Sequence, residues 1–132
     1  MEQQRKNKEF IINYFNAFAE ASNPVPNELL KKYISDEALI GHIKFFEAAF
    51  PDYKIEADEI IAEGSRVVVC ARMIGTHTGN LGEIPPTYKK VDFPFVIRYE
   101  IENEKIVSHW MLADQMSLME QLGVIPAVPA AH

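Results

Sequence analysis

A chain of 132 residues, 48% of them apolar and 24% charged, has the size of a single domain and too much apolar content to stay disordered. Its formal net charge of −6, with basic residues only in short runs such as Lys31-Lys32 and Lys89-Lys90, excludes the electrostatic footprint that nucleic-acid phosphates demand. The lone Cys70 forms no disulfide within the chain, and no apolar run approaches the roughly 20 residues that span a bilayer. The polar start Met1-Glu2-Gln3-Gln4-Arg5-Lys6 leads into no apolar segment, so no membrane partner and a cytoplasmic location are expected.

Phe10, Ile11, Tyr14, Phe15 and Phe18 recur at helical spacing and predict a first helix over 6–21, ended by Asn23-Pro24-Val25-Pro26. A short second helix is predicted over 27–33. Ser35 is expected to cap a third helix with Asp36 and Glu37 in its first turn, where the helix dipole favours negative charge. Leu39, Ile40, Ile43, Phe46 and Phe50 form its apolar stripe, and Pro51 stops it.

From Tyr53 the period becomes two. Residues 53–62 and 66–77 predict a hairpin about Glu63-Gly64-Ser65. Val91, Phe93, Phe95, Ile97, Tyr99 and Ile101 take every second position of a third strand, in which Pro94, without a ladder donor, predicts a bulge or an unpaired stretch. Asn103-Glu104 turns into a fourth strand over 105–112. A last helix carrying Met116, Leu118, Met119 and Leu122 stops at Gly123. One domain, 1–126, with a flexible tail, 127–132, is expected. Helices ahead of consecutive antiparallel strands give an α+β fold, with the helices packed on the concave face of a curved sheet.

Asp114 stands among Met111, Leu112, Ala113 and Met116, a desolvating setting that suits a carboxylate to proton transfer, although Asp is equally apt to cap the helix that follows. His109 could orient a substrate oxygen or assist that transfer. It shares a strand face with Val107 and Met111, whereas Trp110 shares the other with Ser108 and Leu112, and one set alone can face inward. His77 ends the second strand, where it could meet a polar substrate group or sit on the surface. Tyr14, Phe18, Phe46, Phe93, Phe95 and Trp110 could line an apolar cavity. His42 and His132 join no constellation. The four histidines have no metal-ligand spacing, and Ser117 and Cys70 lack a triad context, so no metal and no cofactor are expected.

Ala49-Phe50-Pro51-Asp52, Ile61-Ala62-Glu63-Gly64-Ser65-Arg66-Val67, Gly75-Thr76-His77-Thr78-Gly79, Ile84-Pro85-Pro86-Thr87, Lys105-Ile106-Val107-Ser108-His109-Trp110 and Gln121-Leu122-Gly123-Val124 follow in that order. Together, over about 43–126, they resemble the SnoaL-like polyketide and ester cyclases of the nuclear transport factor 2-like fold. The resemblance implies a cone-shaped α+β barrel with its N-terminal helices on a curved, mainly antiparallel sheet. It also implies a homodimer and a cofactor-free enzyme closing a ring by aldol chemistry, with Asp114 at the position of the family's acid/base aspartate. Family members commonly carry an extended His-Asp-Pro-like segment between the second and third helices; here Tyr33-Ile34-Ser35-Asp36 runs directly into the third.

The resulting expectation is acid/base chemistry alpha to a carbonyl of an apolar small molecule, by a cyclase or isomerase-like reaction. Asp114 and His109 would be catalytic, and His77, Trp110, Tyr14, Phe18, Phe46 and Phe93 would hold the substrate. The alternative is a non-catalytic small-molecule-binding module of the same fold. Val67-Val68-Val69 and Phe95-Val96-Ile97 place apolar residues on both sheet faces, so a homodimer through the outer face is expected.

Overall fold

The first helix, α1 (Glu2–Glu20), begins ahead of its apolar stripe because Arg5 pairs with Glu2 and Glu9 at helical spacing and sustains the exposed first turn. The computed structural model describes residues 2–125; the expected flexible tail, 127–132, lies outside the described residues. α2 (Asn27–Tyr33), α3 (Glu37–Ala49), β1 (Lys54–Glu63), β2 (Arg66–Thr76), β3 (Lys90–Glu102), β4 (Lys105–Ala113) and α4 (Gln115–Leu122) follow. The cap of α3 is Asp36 rather than Ser35. Oδ1 of Asp36 accepts from the N–H groups of Ala38 (3.0 Å) and Leu39 (3.3 Å), while the Ser35 hydroxyl donates to the Ile106 carbonyl (3.3 Å).

The strands form one antiparallel sheet in chain order, β1-β2-β3-β4. Two left-handed residues, Asn103 (φ 51°) and Glu104 (φ 58°), make the tight turn between β3 and β4. Register shifts between Ala57 and Glu59 and between Glu100 and Ile101 mark the bulges that bend the sheet. Pro94 carries no bulge, since it pairs in register with Arg72. The ladder to β4 begins one residue later, at Phe95 opposite Ala113, so the missing N–H falls where no β4 partner exists, and the Pro94 carbonyl accepts from the Asp114 N–H (3.0 Å).

Val67, Val69, Ala71 and Met73 of β2 and Val91, Phe93, Ile97, Tyr99 and Ile101 of β3 are buried on the concave face beneath the helices, the expected α+β arrangement. The core falls into two clusters. One gathers Ile11, Tyr14, Leu30 and Leu39 over the centre of the sheet; the other gathers Phe50, Met73, Phe93, Leu118 and Leu122 at one end. On the convex face the register aligns Ile61 with Val68, Val68 with Arg98 and Trp110, and Cys70 with Val96 and Leu112. Ile61, Trp110 and Leu112 are exposed there.

The segment from His77 to Lys89 folds back on itself, with His77 N–H donating to Lys89 O and Tyr88 N–H to His77 O. It is tied to α3 by the N–H groups of Thr78 and Gly79, both donating to Ala49 O. His77, expected to reach a substrate, is instead fully buried against the Phe50 ring. Its Nδ1 accepts from the Thr87 N–H (3.1 Å), which requires a lone pair on Nδ1 and leaves the proton on Nε2. Nε2 has no hydrogen-bond partner. Burial lowers the pKa of His77 below its ordinary value, against a smaller opposing pull from the Gly79 backbone.

A folded-state pKa below the unfolded one means that below about pH 6.5 the native state binds fewer protons than the unfolded chain, so the stability present above that pH is lost as pH falls. The unfolding free energy of the wild type should therefore fall more steeply between about pH 7 and 5 than that of His77→Gln, which denaturation across that range measures. A Cβ at Gly79 would lie 1.8 Å from Ala48 O, whereas one at Gly41 meets nothing within 4 Å. In urea denaturation Gly79→Ala should cost about 2–3 kcal/mol, and Gly41→Ala, inside α3, should gain about 0.5–1 kcal/mol.

Candidate functional site

α1 and α3 stand over the concave face with a cavity of about 350 Å³ between them and the sheet. Its wall is largely apolar and aromatic: Phe15 and Phe18 from α1, Phe46 from α3, Phe93 and Phe95 from β3, Met111 from β4. Alternation puts these strand residues inside, and Phe93, Phe95 and Tyr99 on the inward face of β3 leave flat surfaces facing the space. Tyr14, Phe18, Phe46 and Phe93, singled out from the sequence, all line it.

Polar groups enter the cavity at few points. Tyr14 and Tyr99 cross edge to face with ring centroids 5.8 Å apart, and their hydroxyls interact. Burial raises both above the ordinary phenol range. Tyr53 is raised as well, by burial first and then by the charge and hydrogen bond of Glu47. Three protonated phenols therefore border the cavity near neutral pH, and a protonated phenol can donate to an oxyanion.

Asn23, Lys54 and Glu56 also stand in the lining, and a further polar feature is a chain of three side chains. On β4 the inner face carries His109 and Met111, paired with Tyr99 and Ile97, and the outer face carries Trp110. His109 Nδ1 lies 2.6 Å from Asp36 Oδ2, and both side chains are largely buried, at 8% and 13% exposure. His109 Nε2 lies 3.2 Å from Nδ1 of His42 on α3, which lines the cavity.

An ionised carboxylate only accepts, so His109 donates through Nδ1. With both imidazoles neutral, His109 keeps a lone pair on Nε2 that receives the Nδ1 proton of His42, and the Nε2 of His42 carries a lone pair. Asp36 is held in place by the backbone: Ile34 forms a parallel bridge with Ile106, and the N–H groups of Ser35 and Asp36 both donate to Ile106 O (2.9 and 3.2 Å). Neither Asp36 nor His42 was singled out as a site residue from the sequence. They lie six positions apart, on different sides of a helix with 3.6 residues per turn, and His109 comes from 67 residues further along the chain.

His109 itself is not in the cavity lining and reaches it through His42, and besides His77 two expected site residues are placed elsewhere. Trp110 is 49% exposed on the convex face, beyond the sheet from the cavity, because alternation gives the inner positions to His109 and Met111. Asp114 is exposed and does not line the cavity; its Oδ1 accepts from the Ser117 N–H (3.0 Å), capping α4. The neighbouring Ala113 does line it. Among the described residues, no group of three or more His, Cys, Asp or Glu is placed to hold a metal ion, and no helix is long and apolar enough to cross a membrane.

The fold is shared with several solved structures. AclR from Streptomyces galilaeus, proposed as a hydroxylase, superposes with a TM-score of 0.79 at 22% identity over 96% of this chain and 87% of its own. A protein from Jannaschia sp. CCS1 named for its likeness to SnoaL-like polyketide cyclases gives 0.79 at 19% identity over 93% and 95%. IdmH from Streptomyces antibioticus, proposed as a polyketide cyclase, gives 0.72 at 22% over 89% and 98%. At these identities the likeness establishes the fold alone. No curated protein matches the chain. The model of the SnoaL-like polyketide cyclases matches residues 13–122, a span holding α2, α3, the whole sheet and α4, and on that match the chain belongs to the SnoaL-like polyketide cyclase family.

Proposed function

We propose that this protein is a cofactor-free acid/base catalyst of the cyclase kind, acting alpha to a carbonyl of an apolar substrate enclosed in the cavity. The observation that carries the reading is the chain Asp36, His109, His42, ending on the wall of an aromatic cavity that Tyr14 and Tyr99 also border. In this reading His42 Nε2 removes a proton from the carbon next to the carbonyl. The positive charge then on the imidazole is balanced through His109 by the Asp36 carboxylate. The Tyr14 hydroxyl, backed by Tyr99, receives the enolate oxygen.

For a cyclisation, the enolate carbon attacks a second carbonyl of the same molecule, one carbon–carbon bond forms, and His42 returns its proton to the new alkoxide. For an isomerisation, His42 returns the proton to a different carbon. Both begin with the same transfer, which can be followed without the natural substrate.

The probe is 2-tetralone in deuterium oxide, with exchange alpha to its carbonyl followed by NMR. His42→Ala should lower the protein-catalysed rate roughly a hundredfold, the scale of a positioned acid/base. Asp36→Asn, which keeps the cap, should lower it in the same direction through the lost relay. Asp114→Asn should stay within about threefold, because its carboxylate is committed to the cap of α4. A large loss in Asp114→Asn with His42→Ala unaffected would move the acid/base to Asp114. Binding of 2-tetralone with no exchange above the buffer rate would favour the non-catalytic module. The exchange should survive chelation with EDTA.

A second copy of the chain fits the convex face, where Ile61, Trp110 and Leu112 leave apolar surface exposed across the sheet. Light scattering at micromolar concentration should report twice the chain mass, and Leu112→Asp should shift the protein to monomer; a wild-type monomer would overturn this assembly.

A further inference from the structure

Tyr53 lines the cavity just ahead of β1, and its hydroxyl proton is already committed. It donates to Oε2 of Glu47 (3.3 Å), a carboxylate on α3 with only 6% exposure. The same oxygen accepts the Val25 N–H (2.9 Å). Glu47 thus lies buried between the loop that follows α1 and the cavity wall, and these two donors are what compensate its removal from water.

A phenol has one proton to give and lone pairs to receive with. Turning the Tyr53 proton toward a ligand would take one of two donors from a buried carboxylate, a change that costs more than a single neutral hydrogen bond returns. The low-energy state of Tyr53 therefore shows the cavity an acceptor. Tyr14 differs in kind: its ring packs edge to face on Tyr99 with centroids 5.8 Å apart, and among the hydrogen bonds of the described residues no carboxylate takes its proton, which is left to turn to a ligand oxygen. Two hydroxyls on one apolar wall, chemically identical in sequence, present opposite polarity.

We propose that Tyr53, with its proton held by Glu47, is a specificity-determining acceptor that selects ligands bearing a hydroxyl donor in addition to the carbonyl received by Tyr14. The inference rests on the cavity being the ligand site, as in the function proposed above, but not on the chemistry of His42. Carbonyl compounds that also carry an enol, phenol or alcohol hydroxyl satisfy both polarities. The corresponding methyl ethers leave Tyr53 unmatched and crowd it with a methyl group.

Isothermal titration with 2-naphthol and with 2-methoxynaphthalene separates the cases, since the two share a ring system and differ in the donor. The wild type should bind 2-naphthol roughly fivefold more tightly, the scale of one net hydrogen bond. Tyr53→Phe should bring the two within about twofold by removing that bond. Glu47→Gln should retain the preference, because the amide oxygen still accepts from Tyr53 and Val25.

His42 Nε2 is one competing acceptor, and Asn23 and Glu56 also line the cavity. A preference that survives Tyr53→Phe and vanishes in His42→Ala would overturn the proposal, as would equal affinities in the wild type or no binding of either compound at millimolar concentration. The two readings fail separately: exchange on 2-tetralone reports on His42, whereas the naphthol preference reports on Tyr53.

Discussion

The carbonyl oxygen of Ile106 accepts from the N–H groups of both Ser35 and Asp36, and this pair of hydrogen bonds to β4 governs the geometry of the site. The tie pins the start of α3 to the sheet three residues from His109. It leaves one oxygen of Asp36 to cap the helix and turns the other to the imidazole. A capping carboxylate on a free loop would satisfy α3 equally well but would have no fixed relation to β4. The short connection between α2 and α3 thus brings an acidic group into contact with His109 on β4.

Pinned at its first turn, α3 is held at its far end too, where Ala49 O accepts from Thr78 and Gly79 and where the absence of a Cβ on Gly79 permits close approach. Between those two anchors the helix bridges the concave face. The side chains beneath it, Ile43 and Phe46, do not fill the space down to Phe93, Phe95 and Ile97. Leaving a cavity forgoes dispersion contacts that a filled core would make. The two close-packed clusters on either side, around Ile11 with Leu30 and around Phe50 with Phe93, hold the frame rigid enough to tolerate it.

Polarity inside that frame is rationed. Among largely apolar neighbours, each buried hydrogen bond counts for more than it would in water, and the direction of its proton matters. Asp36 and Glu47, both on or at the end of α3, act as the fixed acceptors from which those directions propagate: one through His109 to His42, the other to Tyr53. A carboxylate cannot donate while ionised, so each orders the groups beyond it. The same helix that roofs the cavity thereby orients its chemistry from both ends.

The sequence by itself carried the element order, the inward alternation of β3, the cavity-lining residues Tyr14, Phe18, Phe46 and Phe93, and the family. All of these are local periodicities or short motifs, and a period of two or 3.6 is a property of neighbouring residues. What only the tertiary structure decided are the relations between distant residues. Whether His109 or Trp110 faces inward depends on which side of the sheet the helices cover. That Asp114 serves α4 and not the cavity depends on where β4 ends against Pro94. His42, beside Gly41 with no partner in its own helix, acquires one because β4 brings His109 to within 3.2 Å. The Tyr53 proton points to Glu47 because Pro51 and the turn that follows fold the chain back on α3. Hydrogen-bond direction is set by what stands opposite, and what stands opposite is a matter of packing, which local pattern does not encode.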